Sequence, residues 1–407
     1  SWGELGNCNT TAFYPFYQTM PTGVENSGWL INGKKPNTAS APGIVSAEMT
    51  WETVRSWNIG FDFGLLNNRL TGSFDYFVRN TLDMIGPAPQ LPATLGATVP
   101  KVNNADMKAW GFEVEVSWRD RIKDFNYGVK FVLSDDQRKV TRYPNEELNR
   151  NQWYAGRMDG LVWGYETVGI AKTDAEMEAH LASLPNGGQS QLGSKWAAGD
   201  IMYKDLNGDG KISSGDGTLN DLGDLKVVAN TQLRFKYGLT LDASWKGFDF
   251  SAFFQGVGKR DVVVGGPYFW GANGQGMWQA AAFKDHMDYF RPEDTESVFG
   301  PNVDAYYPRV IFGGGSSEGG KNTLTQSRYV QNGAYIRLKN LQLGYTLPST
   351  ITKKFAVNSL RVYVSGDNLW TGTKMRVFDP EVLGSTGDAG KAYPLARVWS
   401  VGLNVNF

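Results

Sequence analysis

The stretch WNIGFDFGLLNNRLTGSFDYFVR, residues 57–79, contains two runs of alternating apolar and polar residues separated by a short turn. The first run places a large apolar side chain at every second position, namely Trp57, Ile59, Phe61 and Phe63. Such a period of two is typical of a β-strand whose two faces meet different surroundings. Asn67 and Asn68 can adopt the positive φ angles of a tight hairpin turn. The stretch therefore predicts a β-hairpin.

The same alternation recurs along the chain. Further apolar faces occur within residues 112–118, 127–133, 233–241, 248–254, 341–347, 360–364 and 399–407. We expect roughly ten strands, most of them close to the ~9 to 11 residues that cross an outer membrane. The predicted fold class is all-β, with a transmembrane antiparallel β-barrel as its architecture.

The connections between these runs have two lengths. Tight turns join neighbouring strands at residues 67–69, 121–124, 245–247 and 346–355, whereas long segments cover 80–107, 136–230, 257–328 and 371–395. Short periplasmic turns on one rim and long extracellular loops on the other are the layout of outer-membrane barrels. Trp57, Trp118, Trp245 and Trp399 lie near strand ends, as expected of an interfacial aromatic girdle. These features favour an outer-membrane barrel over a soluble β-protein, in which strands also alternate.

The composition excludes several other classes of protein. The 407 residues carry a net charge of -1, whereas a nucleic-acid-binding protein needs a clustered basic surface. No apolar run approaches the ~18 residues of a transmembrane helix. The single cysteine, Cys8, excludes an internal disulfide framework, and His180 and His286 are the only histidines. Two histidines far apart in sequence make a histidine-based catalytic site improbable, whereas a carboxylate-only enzyme is not excluded by composition. We predict that the protein is not an enzyme.

Several longer segments, taken together and in order, resemble the SusC/RagA-like branch of TonB-dependent outer-membrane transporters. They are SWGELGN (1–7), residues 49–77 and 91–118, GDIMYKDLNGDGKI (199–212), residues 237–257 and 332–348, LRVYVSGDNLW (360–370) and YPLARVWSVGLNVNF (393–407). The resemblance covers most of the chain and extends to its last residue, Phe407.

The resemblance implies a barrel of about 22 strands around an N-terminal plug. Residues 1–407 are then expected to be the C-terminal part of the barrel, with the plug and the first strands outside this chain. The family imports large nutrients, oligosaccharides or peptides, beneath a SusD-like lipoprotein lid, with energy supplied by TonB. A passive porin or secretion barrel remains an alternative, as does a secreted calcium-binding β-protein.

One loop carries a motif typical of calcium binding. Its predicted ligands have the spacing of an EF-hand loop, at Asp205, Asn207, Asp209, Lys211 (through its carbonyl), Ser213 and Asp216. Gly210 at the sixth position allows the sharp bend that such a loop needs. We predict a structural Ca²⁺ that braces an extracellular loop; a solvated turn rich in Asp, Asn and Gly is the alternative.

Aromatic residues in the long loops form a second candidate site. Exposed aromatic faces can stack on sugar rings or hold apolar peptide side chains. The candidate substrate-binding residues are Trp153, Tyr154, Tyr268, Phe269, Trp270 and Trp278. Packing within the loops or against the lid is the alternative for each of them.

Overall fold

The structure of the chain is a computed structural model. It describes residues 1–8, 17–20, 22–23, 30–39, 41–46, 49–88, 94, 99–273, 282–311, 317–383 and 393–407. In chain order the strands are β1 (Trp2–Asn7), β2 (Thr22–Gly23), β3 (Thr38–Ala39), β4 (Glu52–Leu65), β5 (Leu70–Ile85), β6 (Asn103–Ile122), β7 (Phe125–Arg142), β8 (Leu161–Tyr165), β9 (Thr167–Ile170), β10 (Ile201–Tyr203), β11 (Leu225–Asn230), β12 (Arg234–Trp245), β13 (Phe248–Lys259), β14 (Asp261–Val263), β15 (Val330–Asn332), β16 (Tyr335–Thr346), β17 (Ser359–Thr373) and β18 (Val398–Asn406).

Ten of these strands form one sheet, which confirms the predicted all-β fold. Their spatial order is β1-β4-β5-β6-β7-β12-β13-β16-β17-β18. Strands that follow one another among these ten are neighbours, and the pairings from β7 through β18 are antiparallel. At one end of the sheet β1 pairs antiparallel with β4. This is the pairing expected when each strand returns beside the previous one through a turn or a loop.

The tight turns have the backbone geometry that their residues predict. Leu66, Asn67 and Asn68 have φ angles of 54°, 57° and 60° between β4 and β5. Lys246 and Gly247, with φ angles of 45° and 91°, make the two-residue turn between β12 and β13. Positive φ at both central residues matches the right-handed twist of the flanking strands, so these hairpins close without splaying them.

The three longest strands exceed the predicted length by the widest margin. β5, β6 and β7 have 16, 20 and 18 residues, against the ~9 to 11 expected for a membrane crossing. The additional residues at the end of β7, DDQRKVTR (135–142), are mostly charged and resemble a loop in sequence. Arg142 near the end of β7 binds Asp106 in β6 at 2.7 Å, so an ion pair accompanies the extended ladder.

The two faces of the sheet differ, as the alternation predicts. Apolar side chains such as Ile59 and Val401 are largely exposed on one face. On the other face, a side chain added at Gly60, Gly128, Gly344 or Gly402 would collide with a neighbour's side chain. The neighbours are Asp75 for Gly60, Asp242 for Gly128, Arg361 and Asp249 for Gly344, and Tyr363 for Gly402. These polar side chains therefore lie against bare backbone.

The chain divides into two compact units. The first comprises Ser1–Ile59, Tyr76–Gly111 and Gln137–Met158, and the second comprises Gly60–Asp75, Phe112–Asp136 and Asp159–Phe407. The first unit includes the β1–β4 pairing and the ion pairs of Arg142 with Asp83 and Asp106. Its β1–β4 register aligns Trp2 with Trp57 and Asn7 with Glu52.

The second unit carries a layer of loop structure with its own hydrophobic core. Its small sheets pair β8 with β11, β9 with β10, and β14 with β15. The helices are α1 (Asp174–Ala182), α2 (Pro267–Trp270), α3 (Ser317–Gly320) and α4 (Ser349–Thr352), with 3-10 turns at Lys284–Met287, Ser327–Tyr329 and Lys353–Phe355. Tyr203, Ile201 and Ile212 are among the fully buried residues of this core. Thr173 caps α1 by accepting a hydrogen bond from the Glu176 amide, as threonine favours.

Candidate functional site

Two of the predicted substrate-binding aromatics are packing residues. Phe269 is 0% exposed and Trp270 is 6% exposed, and both belong to the hydrophobic core of the loop layer. The Trp270 ring lies edge-on to Tyr329 at 4.6 Å between centroids. Neither ring is exposed as the sequence analysis expected, which favours the packing alternative for this pair. Substrate binding by these two residues stays a prediction. The run YFW in the sequence offers no sign of which member faces outwards.

Trp153 and Tyr154 lie in the first unit and remain accessible. Trp153 is 38% exposed, and its ring packs against Tyr143 at 5.7 Å. The Tyr154 ring lies 5.9 Å from the Arg157 guanidinium. Asn145 fixes this loop because its side-chain amide donates to the Trp153 carbonyl at 3.0 Å. Substrate binding by these two residues stays a prediction.

Tyr268, 38% exposed, is the predicted aromatic that lines a cavity. Its ring stacks on Phe283 with centroids 5.7 Å apart. His286 holds this pair in place: its Nδ1 accepts from the Phe283 amide, and its Nε2 lies 3.1 Å from the carbonyls of Tyr268 and Phe269. These partners assign the proton to Nε2 of a neutral ring. Trp278 lies outside the described residues.

The cavity beside Tyr268, here called the apolar cavity, has a volume of about 490 Å³. Its lining consists of Tyr268, Phe283, Lys284, Asp285, Val377, Phe378, Asp379, Val382, Leu383 and Pro394. The volume falls within the ~300 to 1,000 Å³ of small-molecule sites, which are also lined mainly by apolar and aromatic groups.

A strained turn forms one wall of the apolar cavity. The Phe378 amide donates to the Arg376 carbonyl at 2.8 Å, and Val377 between them has a φ of 72°. This is a γ-turn with a positive φ, which is rare and costly for a β-branched residue. The Arg376 amide is held at 2.9 Å by the side chain of Gln331, which keeps the turn in this conformation.

Two buried arginines fix the segment that follows this turn. Arg337 in β16 donates to both oxygens of Asp379, at 2.7 and 2.6 Å, and to Glu381 at 2.8 Å. Arg260 donates to the carbonyls of Pro380 and Leu383 at 3.1 and 2.7 Å. Residues 377–383 are thereby tied to strand β16 and to the end of β13.

A second and larger cavity is also lined by residues of this segment, Pro380, Glu381 and Leu383. This polar cavity has a volume of about 850 Å³ and shares Leu383 with the apolar cavity. Its lining includes the polar side chains of Ser134, Asp159, Thr231, Gln232, Lys236, Gln255, Arg260 and Glu381. The polar cavity therefore offers a ligand more hydrogen-bonding side chains than the apolar cavity, although apolar groups make up most of the lining of both.

The predicted calcium loop has a compact turn structure. Asp205 accepts hydrogen bonds from the amides of Gly208 at 2.6 Å and Gly210 at 2.9 Å. Asn207 accepts from the Asp209 amide at 3.0 Å, and Asp209 in turn accepts from the Lys211 amide at 3.1 Å. A carboxylate has about four acceptor positions, so these bonds leave oxygen lone pairs for a cation.

The carboxylate that enters this loop from further along the chain is Asp224. It is fully buried and accepts from the amides of Leu206 and Ser213, each at 2.7 Å. Burial raises the pKa of Asp224, and the neighbouring Asp205 charge adds to the rise. Asp216, the predicted twelfth-position ligand, accepts from the Thr218 amide at 2.7 Å. Asp224 lies outside the twelve-residue spacing and was therefore missed.

No metal site is assembled in the part of the chain that the structure describes. No three Asp, Glu, His or Cys side chains there converge closely enough to hold an ion. The predicted role of Lys211 depends on its carbonyl, and Ser213 accepts from the Gly215 amide through its hydroxyl at 3.3 Å. Calcium binding at this loop stays a prediction.

A charged network surrounds the loop-layer core. Lys321 is buried beside Asp200 at 3.0 Å and beside Glu318 at 3.1 Å, with its ammonium 4.5 Å from the Trp196 ring. The Ser194 hydroxyl and amide both donate to Glu318, at 2.6 and 2.7 Å. These hydrogen bonds and the Lys321 charge lower the pKa of Glu318 to about 2. The network is a packing feature of the loop layer.

Comparison with known proteins identifies the family. Residues 11–246, more than half of the chain, match the family described as "TonB dependent receptor-like, beta-barrel". The chain belongs to this family. This TonB-dependent receptor barrel is an outer-membrane protein, as its relatives and its fold both indicate. None of the helices in the described residues has the length and apolar character needed to cross a membrane.

Curated relatives of this TonB-dependent receptor barrel extend along the whole chain. It is 27% identical to TonB-dependent receptor P3 of Formosa agariphila and 23% identical to TonB-dependent receptor SusC of Bacteroides thetaiotaomicron. Both alignments cover 100% of this chain, and they cover 39% and 37% of the two relatives. The chain thus spans well under half the length of these relatives.

A solved structure has the same fold. The structure titled "Structure of the RagAB peptide transporter" superposes with a TM-score of 0.69 and 22% identity. The match covers 100% of this chain and 40% of that one. The predicted SusC/RagA-like resemblance is confirmed, and at this level of identity the structural match speaks for the fold alone.

Proposed function

We propose that the full-length protein containing this chain is an active importer of large nutrients, oligosaccharides or peptides, across the outer membrane. The observation that carries the proposal is the match of the whole chain to TonB-dependent receptors, SusC among them. The solved relative is named a peptide transporter, which supports the same class of activity. Transport rather than catalysis is the function that this family suggests.

The arrangement of the second unit also supports a transport role. The polar cavity and the apolar cavity are both lined by residues of the segment 377–383. Concave sites that combine an apolar lining with hydrogen-bonding side chains can hold a ligand that carries both polar and apolar groups. Such sites fit the first step of import, the capture of a nutrient.

The proposed partners act with the full-length protein. TonB is expected to supply energy through a plug outside residues 1–407, and a SusD-like lipoprotein is expected to cover the loops. These proposals rest on the relationship to SusC and to the RagAB transporter.

The test is uptake by intact cells that express the full-length gene. Uptake of a labelled nutrient is expected to stop when TonB is deleted and to return when TonB is restored. A strain lacking only this receptor serves as the control for uptake by other routes. Uptake that requires this receptor but proceeds equally without TonB would show a passive porin instead.

We further propose that Ca²⁺ binds the loop that begins at Asp205, with Asp224 supplying a carboxylate beside it. The supporting observation is that Asp224 is buried next to a second negative charge, which a divalent cation would neutralise. Calcium is then expected to raise the melting temperature of the full-length protein, and a chelator to lower it. Asp224→Asn should remove this response, while Asp304→Asn, at an exposed carboxylate, should retain it. A response that survives Asp224→Asn but is lost in Asp216→Asn would assign the carboxylate to Asp216.

A further inference from the structure

We propose that the apolar cavity receives a large apolar side chain of a peptide substrate. This inference rests on the proposed import function and names the class of nutrient that the cavity selects. The side chain of Val377 contributes one wall, and the stacked rings of Tyr268 and Phe283 contribute another.

The polar groups of the cavity favour a peptide over an oligosaccharide. Each sugar hydroxyl that leaves water needs a hydrogen-bonding partner, because an unpartnered polar group is costly to bury. Asp379, one of the three charged lining residues, already accepts two bonds from Arg337 and one from the Glu381 amide. The other two are Lys284 and Asp285. A leucine or phenylalanine side chain needs no such partners.

The charges of Lys284 and Asp285 complement a short peptide. These neighbouring residues carry opposite charges and both line the cavity. A short peptide has a free ammonium and a free carboxylate, which could pair with one residue of each sign. A neutral oligosaccharide has no charge to offer either of them.

The strained wall is consistent with ligand binding. Val377 is 40% exposed although its positive φ is unfavourable for a branched side chain. Strain of this kind persists where the surroundings impose it and is concentrated in ligand clamps. Gln331 on one side and Arg337 on the other impose it here.

The shape of the cavity favours a peptide side chain over the surface of a lid protein. A stable protein interface buries about 800 Å² on each partner and is broad. The apolar cavity is concave and, at about 490 Å³, has the size of a small-molecule site.

The test is calorimetric titration of the purified full-length transporter with three compounds. They are a hexapeptide of alanine and serine with one central leucine, the same hexapeptide with serine in place of leucine, and maltohexaose. The leucine peptide is expected to bind about tenfold more tightly than the serine peptide, since burial of one aliphatic side chain supplies that difference. Val377→Asp should abolish the preference for the leucine peptide. Aspartate is used because Asp and Asn tolerate a positive φ better than other non-glycine residues.

Val298→Asp is the matched control, because Val298 is 93% exposed and does not line the cavity. It should keep the leucine preference. Heat-modifiable migration in gels checks that each variant is folded. If Val377→Asp does not fold, Phe283→Ser is used in its place.

Three results would overturn the inference. They are equal binding of the two peptides by the unchanged protein, a leucine preference that persists in the folded variant, and maltohexaose binding that the variant loses. Release of a co-purified lipoprotein by Val377→Asp with the leucine preference intact would assign the cavity to the lid, also against the inference. The proposed import function is tested separately by the uptake experiment. It fails if uptake requires this receptor but does not require TonB.

Discussion

Arg337 illustrates how one side chain can organise a candidate site. It is buried and binds Asp379, Glu381 and the Thr371 hydroxyl. Sequence alone did not single it out, because YIRLKNLQL is an ordinary alternating strand. Its partners lie about forty residues away, and only the fold brings them together. Asp224, brought beside Asp205 by the fold, was missed for the same reason.

Arg337→Ala is expected to destabilise the protein by about 3 to 5 kcal/mol, because it leaves Asp379 without its ion-pair partner and Glu381 with Lys339 alone. The free energy of unfolding in urea, followed by tryptophan fluorescence of the full-length protein, measures this loss. Lys172→Ala serves as the control, since the Lys172–Asp304 pair is exposed and should matter far less. Equal losses in the two variants would contradict a structural role for Arg337.

Glu318 provides a prediction about pH. Its pKa of about 2 in the folded protein lies below the ordinary value of 4.5, so its ionised form stabilises the fold above pH 4.5. That contribution is lost as the pH falls from 4.5 towards 2. Glu318→Gln should therefore lower the melting temperature at pH 7, and the difference from the unchanged protein should shrink below pH 4.5. Glu296→Gln, at an exposed glutamate of the same unit, is the control.

At the scale of elements, the strands and their turns were the most predictable features. The alternation in residues 57–79 and the pair Asn67–Asn68 specified both strands and the turn, since each signal is local. The ends of the long strands were not predictable. Residues 135–142, DDQRKVTR, resemble a loop, yet they extend β7, because pairing with the neighbouring strand supplies their backbone hydrogen bonds.

The turn between β12 and β13 depends on Gly247. It has a φ of 91°, and a Cβ there would lie 2.7 Å from the Thr346 carbonyl oxygen. Gly247→Ala is expected to cost about 1 to 2 kcal/mol and to slow refolding into detergent micelles. Band-shift gels of refolded protein measure the folded fraction over time. Gly265→Ala, at a glycine with no atom within 4 Å of an added Cβ, should refold like the unchanged protein.

At the scale of the whole molecule, the two lengths of connection set the orientation of the sheet in the membrane. Short turns such as Lys123–Asp124 follow one end of the strands, whereas Cys8 follows β1 at the end where a long connection begins. The exposed thiol of Cys8 is therefore expected on the extracellular side. This orientation was predictable from loop lengths, whereas the cavities were not, because their walls come from residues more than a hundred positions apart.

A membrane-impermeant maleimide should label Cys8 of the full-length protein on intact cells. In a Cys8→Ser background, Asp124→Cys should be labelled only after the outer membrane is permeabilised. The Cys8→Ser protein without a new cysteine is the control for background labelling. Labelling of Asp124→Cys on intact cells would reverse the orientation.

The glycines on the polar face of the sheet set how much room is left beside it. At Gly60, Gly128, Gly344 and Gly402 the neighbouring side chains lie against bare backbone rather than on top of another side chain. At these four glycines the polar face of the sheet is therefore lower by about the depth of one side chain. Any larger residue at these positions would push the neighbouring side chain away from the backbone. The space beside the polar face would then be smaller for any molecule or protein segment that moves past it.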